Sequence, residues 1–398
     1  MVTEDLTMSL ASKREYLAKI HGRYQRAGRP HKSRILDEFC LNCGYHRKAA
    51  LRLLNRPLRS GPPKRSGPKI IYDSAALLPV LKQVWLASDQ LCSKLLKPAL
   101  PEWLAHHERR TAPLSEAFKE KLLAISPAQL DRLLQPVRVR YPRKGLATTR
   151  PGTLLRGQVP TRGGPPDTSK PGSVEADTVA HCGDTTAGDY VNSLTFTELF
   201  SGWTENRAVW NKSSQAILDQ LKVLEEKAPF EMKNFHADNG SEFLNWALYE
   251  HLTGRKMKVP FTRSRAYRKN DNAHCEQKNW THVRQLFGHE RFAHPELVAL
   301  MNDLYANEWS QFTNHFKPTF KLRKRDKRGS KTIRIYEPTP QTPYQRLLAS
   351  PDIAAATKTR LRQEHAWLDP FELKKNLERK LQNFFTVLGN RNRVATNP

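Results

Sequence analysis

Three acidic residues occupy positions where a carboxylate needs a reason to be: Asp177 within Ala176-Asp177-Thr178, Asp238 within His236-Ala237-Asp238-Asn239-Gly240, and Glu276 within Ala273-His274-Cys275-Glu276-Gln277. Between the first two lie 60 residues, and between the second and third 37. Hard divalent cations prefer such all-oxygen ligands. Two of them, about 3.5–4 Å apart, stabilise the attacking and the leaving oxygen of a phosphodiester together. That chemistry needs no covalent protein nucleophile, so no Ser, Tyr or Cys is assigned to attack. Other acids lie close in sequence, namely Glu175, Asp184, Asp189, Glu242 and Asp271. Glu175 shares a strand face with Asp177 by period-two alternation, and the residues alone leave an exchange between the two open.

The elements that must position these acids follow from local pattern. Residues 173–182, 190–201 and 203–210 read as three strands joined by short turns. A helix over 213–225 presents Ile217, Leu218, Leu221 and Leu224 on one side, followed by a short buried strand at 233–237. A helix over 241–253, a strand over 258–261 and, beyond a polar basic loop, a helix over 273–286 complete the series. Asp177 then falls inside the first strand, where a carboxylate is costly unless paired or bound to metal. Asp238 ends the fourth strand, with Gly240 permitting a sharp turn into the next helix. Glu276 faces the sheet if Ala273, Asn279, Trp280 and Val283 form the inner side of its helix. Three strands followed by alternating helices and strands predict an α/β ribonuclease-H-like catalytic core over 171–312, with the strand order left open.

Asp177, Asp238-Asn239-Gly240-Ser241-Glu242-Phe243 and Glu276 together resemble the Asp, Asp, Glu signature of the integrase-core superfamily, which holds retroviral integrases and many transposases of bacterial insertion sequences. The stretch from Ser264-Arg265-Ala266-Tyr267 through Asn272-Ala273-His274-Cys275-Glu276-Gln277-Lys278-Asn279 is most similar to the bacterial transposase version. The resemblance covers about 120 residues. It implies that Asp177 and Asp238 share one Mg2+, that Asp177 and Glu276 hold a second, and that Mn2+ substitutes. It implies further that Asn239 and Asn272 organise the site's loop, and that Lys269, Lys278 and Arg284 contact DNA. The implied reaction frees 3′-hydroxyls at transposon ends and joins them to target DNA.

Composition is compatible with that implication. The 398-residue chain carries 66 Lys plus Arg against 39 Asp plus Glu, a formal net charge of +27, which points to a polyanionic partner. No apolar run approaches the roughly 18 residues that span a bilayer, and residues 1–13 lack a signal-peptide core, so a cytoplasmic, nucleoid-associated bacterial protein with no membrane partner is expected. The five cysteines, Cys40, Cys43, Cys92, Cys182 and Cys275, are odd in number and scattered, as for reduced thiols. Cys40-Leu41-Asn42-Cys43 has zinc-like spacing, yet no well-spaced histidine pair completes a finger, and a buried metal-free pair is the reading preferred.

Outside the core the chain divides further. Residues 1–58 read as an all-α helix-turn-helix module with helices over 12–26, 32–40 and 45–54. The last carries His46, Arg47, Lys48 and Arg52, suited to a major groove, unless the module is a helical bundle without DNA contact. A second helical module is expected over 70–135, including a helix opened by Ser126-Pro127-Ala128-Gln129. Residues 136–170 read as a basic extended linker in which Arg138, Arg140, Arg143, Lys144, Arg150, Arg156, Arg162 and Lys170 face one acid, Asp167; it either tracks phosphates or is simply solvated. A small basic β-rich segment over 313–348 contains Arg323, Lys324, Arg325, Lys327, Arg328 and Lys331, again a DNA grip or a charged loop. Residues 349–398 are expected to be C-terminal helices. Double-stranded DNA, further copies of the chain in a dimer or tetramer, and an accessory ATPase are the candidate partners. A transposase-derived DNA-binding regulator without strand transfer, and a ribonuclease-H-like nuclease, are the alternatives to a transposase.

Overall fold

The computed structural model describes residues 8–58, 72–138, 159–162, 166–265, 272–328 and 331–396. Two compact units emerge, Met1–Ile71 and Tyr72–Pro398.

The first unit holds three helices, α1 (Leu10–Arg26), α2 (Arg29–Cys43) and α3 (Arg47–Asn55). The Ser9 hydroxyl caps α1 by accepting from the Ser12 N–H. Gly44 ends α2 at φ +67°, a left-handed conformation that glycine adopts without a Cβ penalty. Ile20, Tyr24, Ile35, Leu36, Phe39, Cys43, Ala50 and Leu54 form the core, with Cys40 packed against it.

The second unit starts with α4 (Ser74–Ala87), α5 (Ser93–Arg110), α6 (Glu116–Ala124) and α7 (Pro127–Arg138). All four belong to the helical module expected over 70–135, although α5 and α6 had no bounds of their own in the sequence; Pro98 and Pro101 lie inside α5. The Ser126 hydroxyl accepts from the Gln129 N–H at 3.2 Å, as the motif predicts.

A five-stranded mixed sheet follows, in the order β3-β2-β1-β4-β5. Its strands are β1 (Ser173–Ala180), β2 (Val191–Glu198), β3 (Thr204–Trp210), β4 (Asn234–Ala237) and β5 (Phe261–Arg263), with α8 (Ser214–Lys227) and α9 (Trp246–Thr253) in the crossovers. β1, β2 and β3 are antiparallel neighbours, whereas β4 runs parallel to β1 and β5 parallel to β4. The two faces differ sharply. Val174, Ala176, Leu194, Phe196, Phe235 and Ala237 pack on Ile217, Leu221, Leu224, Leu248 and Leu252 of α8 and α9. Register places Glu175, Asp177, Thr195, Thr197, His236 and Thr262 on the opposite face, and most of these polar groups are also buried.

What covers that polar face is a helical run: α10 (Ala273–Lys278), a π-helical stretch (Asn279–Arg284) and α11 (Gln285–Phe287). Cys275 donates its thiol to the carbonyls of Glu175 and Thr195 at 3.1 and 3.6 Å, and Asn272 Nδ2 donates to the Ala176 carbonyl at 3.4 Å. The inner side of the run is therefore Asn272, Cys275, Asn279, His282 and Val283; of the residues assigned there from sequence, Asn279 and Val283 belong to it, whereas Ala273 is exposed and Trp280 is half-buried.

Next come α12 (Leu297–Leu304), a second π-helical stretch (Tyr305–Trp309) and α13 (Ser310–Phe316), which lie beside β3. Two asparagines on these helices satisfy the outer edge of the sheet. Asn302 takes the N–H and carbonyl of Ala208 at 2.7 and 2.9 Å. Asn314 does the same for Thr204, both bonds at 2.9 Å. The chain ends in a two-stranded hairpin, β6 (Leu322–Arg328) with β7 (Lys331–Tyr336), and α14 (Pro343–Ala349), α15 (Ala355–Trp367) and α16 (Pro370–Thr396). The apolar residues of α4, α5 and α7 share one core with α12, α13 and α16, so the boundary drawn near residue 135 from sequence lies within a single compact unit.

Replacing Asn314 by alanine strands a buried N–H and a buried carbonyl at once, at roughly 1–3 kcal/mol for each unsatisfied group. Denaturant unfolding of Asn314→Ala is expected to show a loss of about 2–6 kcal/mol; a loss under about 0.5 kcal/mol would mean that the edge finds water instead.

Candidate active site

Asp177 lies on β1, in the centre of the sheet, with its side chain on the polar face. Its Oδ1 accepts from the Thr178 N–H at 2.8 Å, and its Oδ2 from Asn279 Nδ2 at 2.7 Å. Burial, reinforced by the charges of Asp238 and Glu276, pushes its carboxyl up to about 7, against the pull of those two hydrogen bonds. Asp238 stands directly after β4, the strand parallel to β1, and is half-buried. Glu276 is on α10 and exposed. Three separate elements thus bring three acids close enough for the outer two to act on the central one.

As they stand, no group of three or more His, Cys, Asp or Glu side chains among the described residues is drawn together to metal-holding distance. The donor chemistry nevertheless fits a hard divalent ion. All three residues supply oxygen, and the repulsion felt by Asp177 is what a bound cation relieves.

Glu242 and Glu175, the acids that compete in sequence, are occupied otherwise. Glu242, 4% exposed, accepts from Thr178 Oγ1 at 2.8 Å and pairs with Lys212 at 3.3 Å. Its carboxylate also explains Gly240. A Cβ at Gly240 would meet Glu242 Oε2 at 2.5 Å, and Gly240 has no left-handed φ, so the glycine makes room for a side chain and does not drive the backbone turn inferred from sequence. The helix assigned to 241–253 consequently begins at Trp246, with Asn245 as its cap, its Oδ1 accepting from the Leu248 N–H at 2.9 Å. Glu175 is fully buried and forms an ion pair with Arg162 at 2.9 Å; burial raises its proton affinity and Arg162 opposes that.

Asn239, 6% exposed, donates to the Ser264 carbonyl at 2.8 Å and accepts from Arg263 at 3.0 Å. Asn279 is the site residue that sequence reasoning missed as such. Its signal was present: it stands three positions after Glu276, one turn along the same helical side.

The basic residues singled out from sequence fall into distinct groups. His46, Lys48 and Arg52 are exposed on or beside α3, while Arg47, also exposed, is paired with Asp37 and Ser33. Arg323, Lys324, Lys327 and Lys331 are exposed on the hairpin, whose strands also carry Arg325 and Arg328. Three others have structural partners or surroundings. Arg138 bonds Asp131 and Ser93 at 2.6 and 2.9 Å. Arg284 donates to the carbonyls of Ala180 and Gly288 at 2.9 and 3.2 Å. Lys278 is half-buried, and burial together with Lys317 and Arg346 pushes its ammonium down to about 8. Arg140, Arg143, Lys144, Arg150, Arg156 and Lys269 lie outside the described residues.

Asp177 binds its proton more tightly in the folded chain, near 7, than at its ordinary value of 3.8. The folded state therefore holds the extra proton between these values, and this residue's contribution to stability is greatest below about pH 4 and is lost as pH rises through 7. Asp177→Asn should flatten that decline in Tm. At pH 8, Mg2+ should raise the Tm of the unaltered protein and leave that of Asp177→Asn unmoved; equal shifts in both would take the ion elsewhere.

No family model matches the chain. A chain of the simian T-cell lymphotropic virus intasome, solved in complex with PP2A regulatory subunit B56 gamma, aligns with 56% of this chain and 70% of its own at 14% identity and a TM-score of 0.27. The uncharacterized protein y4rM of Sinorhizobium fredii is 38% identical over 341 residues, which span 83% of this chain and 94% of that protein. At that identity and coverage, the chain belongs to the same family as y4rM.

Proposed function

We propose that the protein is a DNA transposase that frees 3′-hydroxyls at transposon ends and joins them to target DNA. The observation that carries this reading is the convergence of three acids distant in sequence: Asp177 on β1, Asp238 directly after β4 and Glu276 on α10, with the latter two raising the proton affinity of Asp177. Strand order supports it. The first acid is on the central strand, the second ends the adjacent parallel strand, and the third is on a helix laid across both β1 and β2, as expected of a ribonuclease-H-like core.

In this reading Asp177 and Asp238 would hold one Mg2+ ion, and Asp177 and Glu276 the second. Bound there, the ions would supply Lewis-acid stabilisation to the attacking and leaving oxygens. The chain's own residues do the rest. Asn279 holds Asp177 Oδ2 by its amide, so the carboxylate keeps one orientation. Asn239 ties the turn after β4 to the start of the loop that leads toward Glu276. The exposed cations of α3 and of the β6–β7 hairpin neutralise phosphates, with α2, the Gly44 turn and α3 acting as a helix-turn-helix and α3 seated in a major groove. The acting form is a multimer assembled on DNA.

Asp177→Asn, Asp238→Asn and Glu276→Gln should each abolish joining of end-sequence oligonucleotides, by about three orders of magnitude or more, while gel retardation of the same DNA survives. Retained joining in one variant would remove that residue from the site, and retardation without joining in the unaltered protein would favour a regulator. Cleavage without joined products would indicate a nuclease. Affinity should also fall steeply with salt, by roughly 0.9 log units per log unit of salt for every phosphate neutralised; a flat response would exclude the basic surfaces as phosphate contacts.

A further inference from the structure

Residues 159–162 lie along the outer side of β5. The Arg162 N–H donates to the Arg263 carbonyl at 3.1 Å, and the Arg263 N–H to the Pro160 carbonyl at 3.0 Å. Two charge-assisted ties run inward, one from this short segment and one from the β5 residue that it grips. Arg162 Nη2 reaches across the polar face, past the strands bearing Thr262 and His236, to Glu175 Oε1 at 2.9 Å. Arg263, gripped through its Nε by the Val159 carbonyl at 2.8 Å, donates Nη1 to Asn239 Oδ1 at 3.0 Å. Glu175 precedes Asp177 by two residues on the same strand face, and Asn239 follows Asp238 directly.

We infer that residues 159–162 form a positioning strap that sets the separation between Asp177 and Asp238, with Arg162–Glu175 and Arg263–Asn239 as its ties. The inference rests on the reading that these two aspartates hold a divalent cation. Fold stability alone is a weak reason for the Arg162–Glu175 pair. A fully buried carboxylate paired with a nearly buried guanidinium is commonly no better than two apolar side chains of similar volume. A pair that adds little stability still fixes a distance, here the 2.9 Å between Arg162 Nη2 and Glu175 Oε1. Arg162 and Arg263 are positioning residues here, acting through Glu175 and Asn239.

The test measures Mn2+ binding to the full chain by electron paramagnetic resonance, beside its Tm. Arg162→Met alone should lower the Tm, since it leaves Glu175 buried and unpaired. The double variant Arg162→Met/Glu175→Met should recover the Tm yet bind Mn2+ about tenfold more weakly or worse, the loss typical of a disturbed support around a metal site. Full recovery of both Tm and Mn2+ affinity would overturn the strap. Should the double variant not fold, Arg162→Lys serves instead: it keeps the charge and loses the fork, and it should weaken Mn2+ binding at unchanged Tm, whereas unchanged binding would overturn the strap. If the unaltered chain binds no Mn2+, or Asp177→Asn and Asp238→Asn bind it equally well, the metal reading fails first and the strap falls with it.

Discussion

A carboxylate on a central strand survives only if the groups around it answer its charge. At Asp177 two hydrogen bonds do so in part, while two further acids and burial work against them. That imbalance organises the core domain. β1 has to serve two surroundings at once, with Val174 and Ala176 in an apolar layer and Glu175 and Asp177 in a polar one. A face of threonines, one histidine and two acids cannot be sealed by leucines without stranding donors and acceptors. Instead it is closed by Asn272, Cys275 and Asn279 from a single helical run, whose polar atoms meet two backbone carbonyls of β1, one of β2 and the Asp177 side chain. Placing Glu276 on that run is a consequence of the same closure.

Much of this was legible in the sequence because alternation and helical periodicity are local signals. β1, β2, β3, α8 and β4 fall within a few residues of their expected bounds, and the apolar side of α8 is the one read from Ile217, Leu218, Leu221 and Leu224. Where the structure adds to the reading, a side-chain contact that periodicity does not show is the cause. Gly240 looks like a turn residue and is a berth for the Glu242 carboxylate. Pro98 and Pro101 look like breaks and sit inside an 18-residue helix held by the shared core. Arg284 and Arg138 look like surface cations and are engaged by backbone carbonyls or by an acid and a serine. In each case the partner is remote in sequence or invisible to periodicity.

The candidate site was legible in a different way. Its three acids were singled out by their types and motif context, but some of the residues around them were not. Arg162 was assigned to a solvated or DNA-tracking arm, whereas it enters the fold as the counter-ion of Glu175. The π-helical stretch from Asn279 to Arg284 had no sequence signature at all. A widened turn of this kind is often found at functional sites, and here it begins at the residue that holds Asp177 Oδ2.

The amide clamps of Asn302 and Asn314 on β3 bear on self-association. Bare strand margins invite another chain to add itself, the route to runaway fibres. At one margin of this sheet the amides take up the backbone groups of Thr204 and Ala208, and at the other residues 159–162 lie against β5. Lateral recruitment through these margins is blocked on both flanks. Copies of the chain that come together therefore do not extend this five-stranded sheet, and contacts between them fall to other surfaces, where charge and shape limit the number that join.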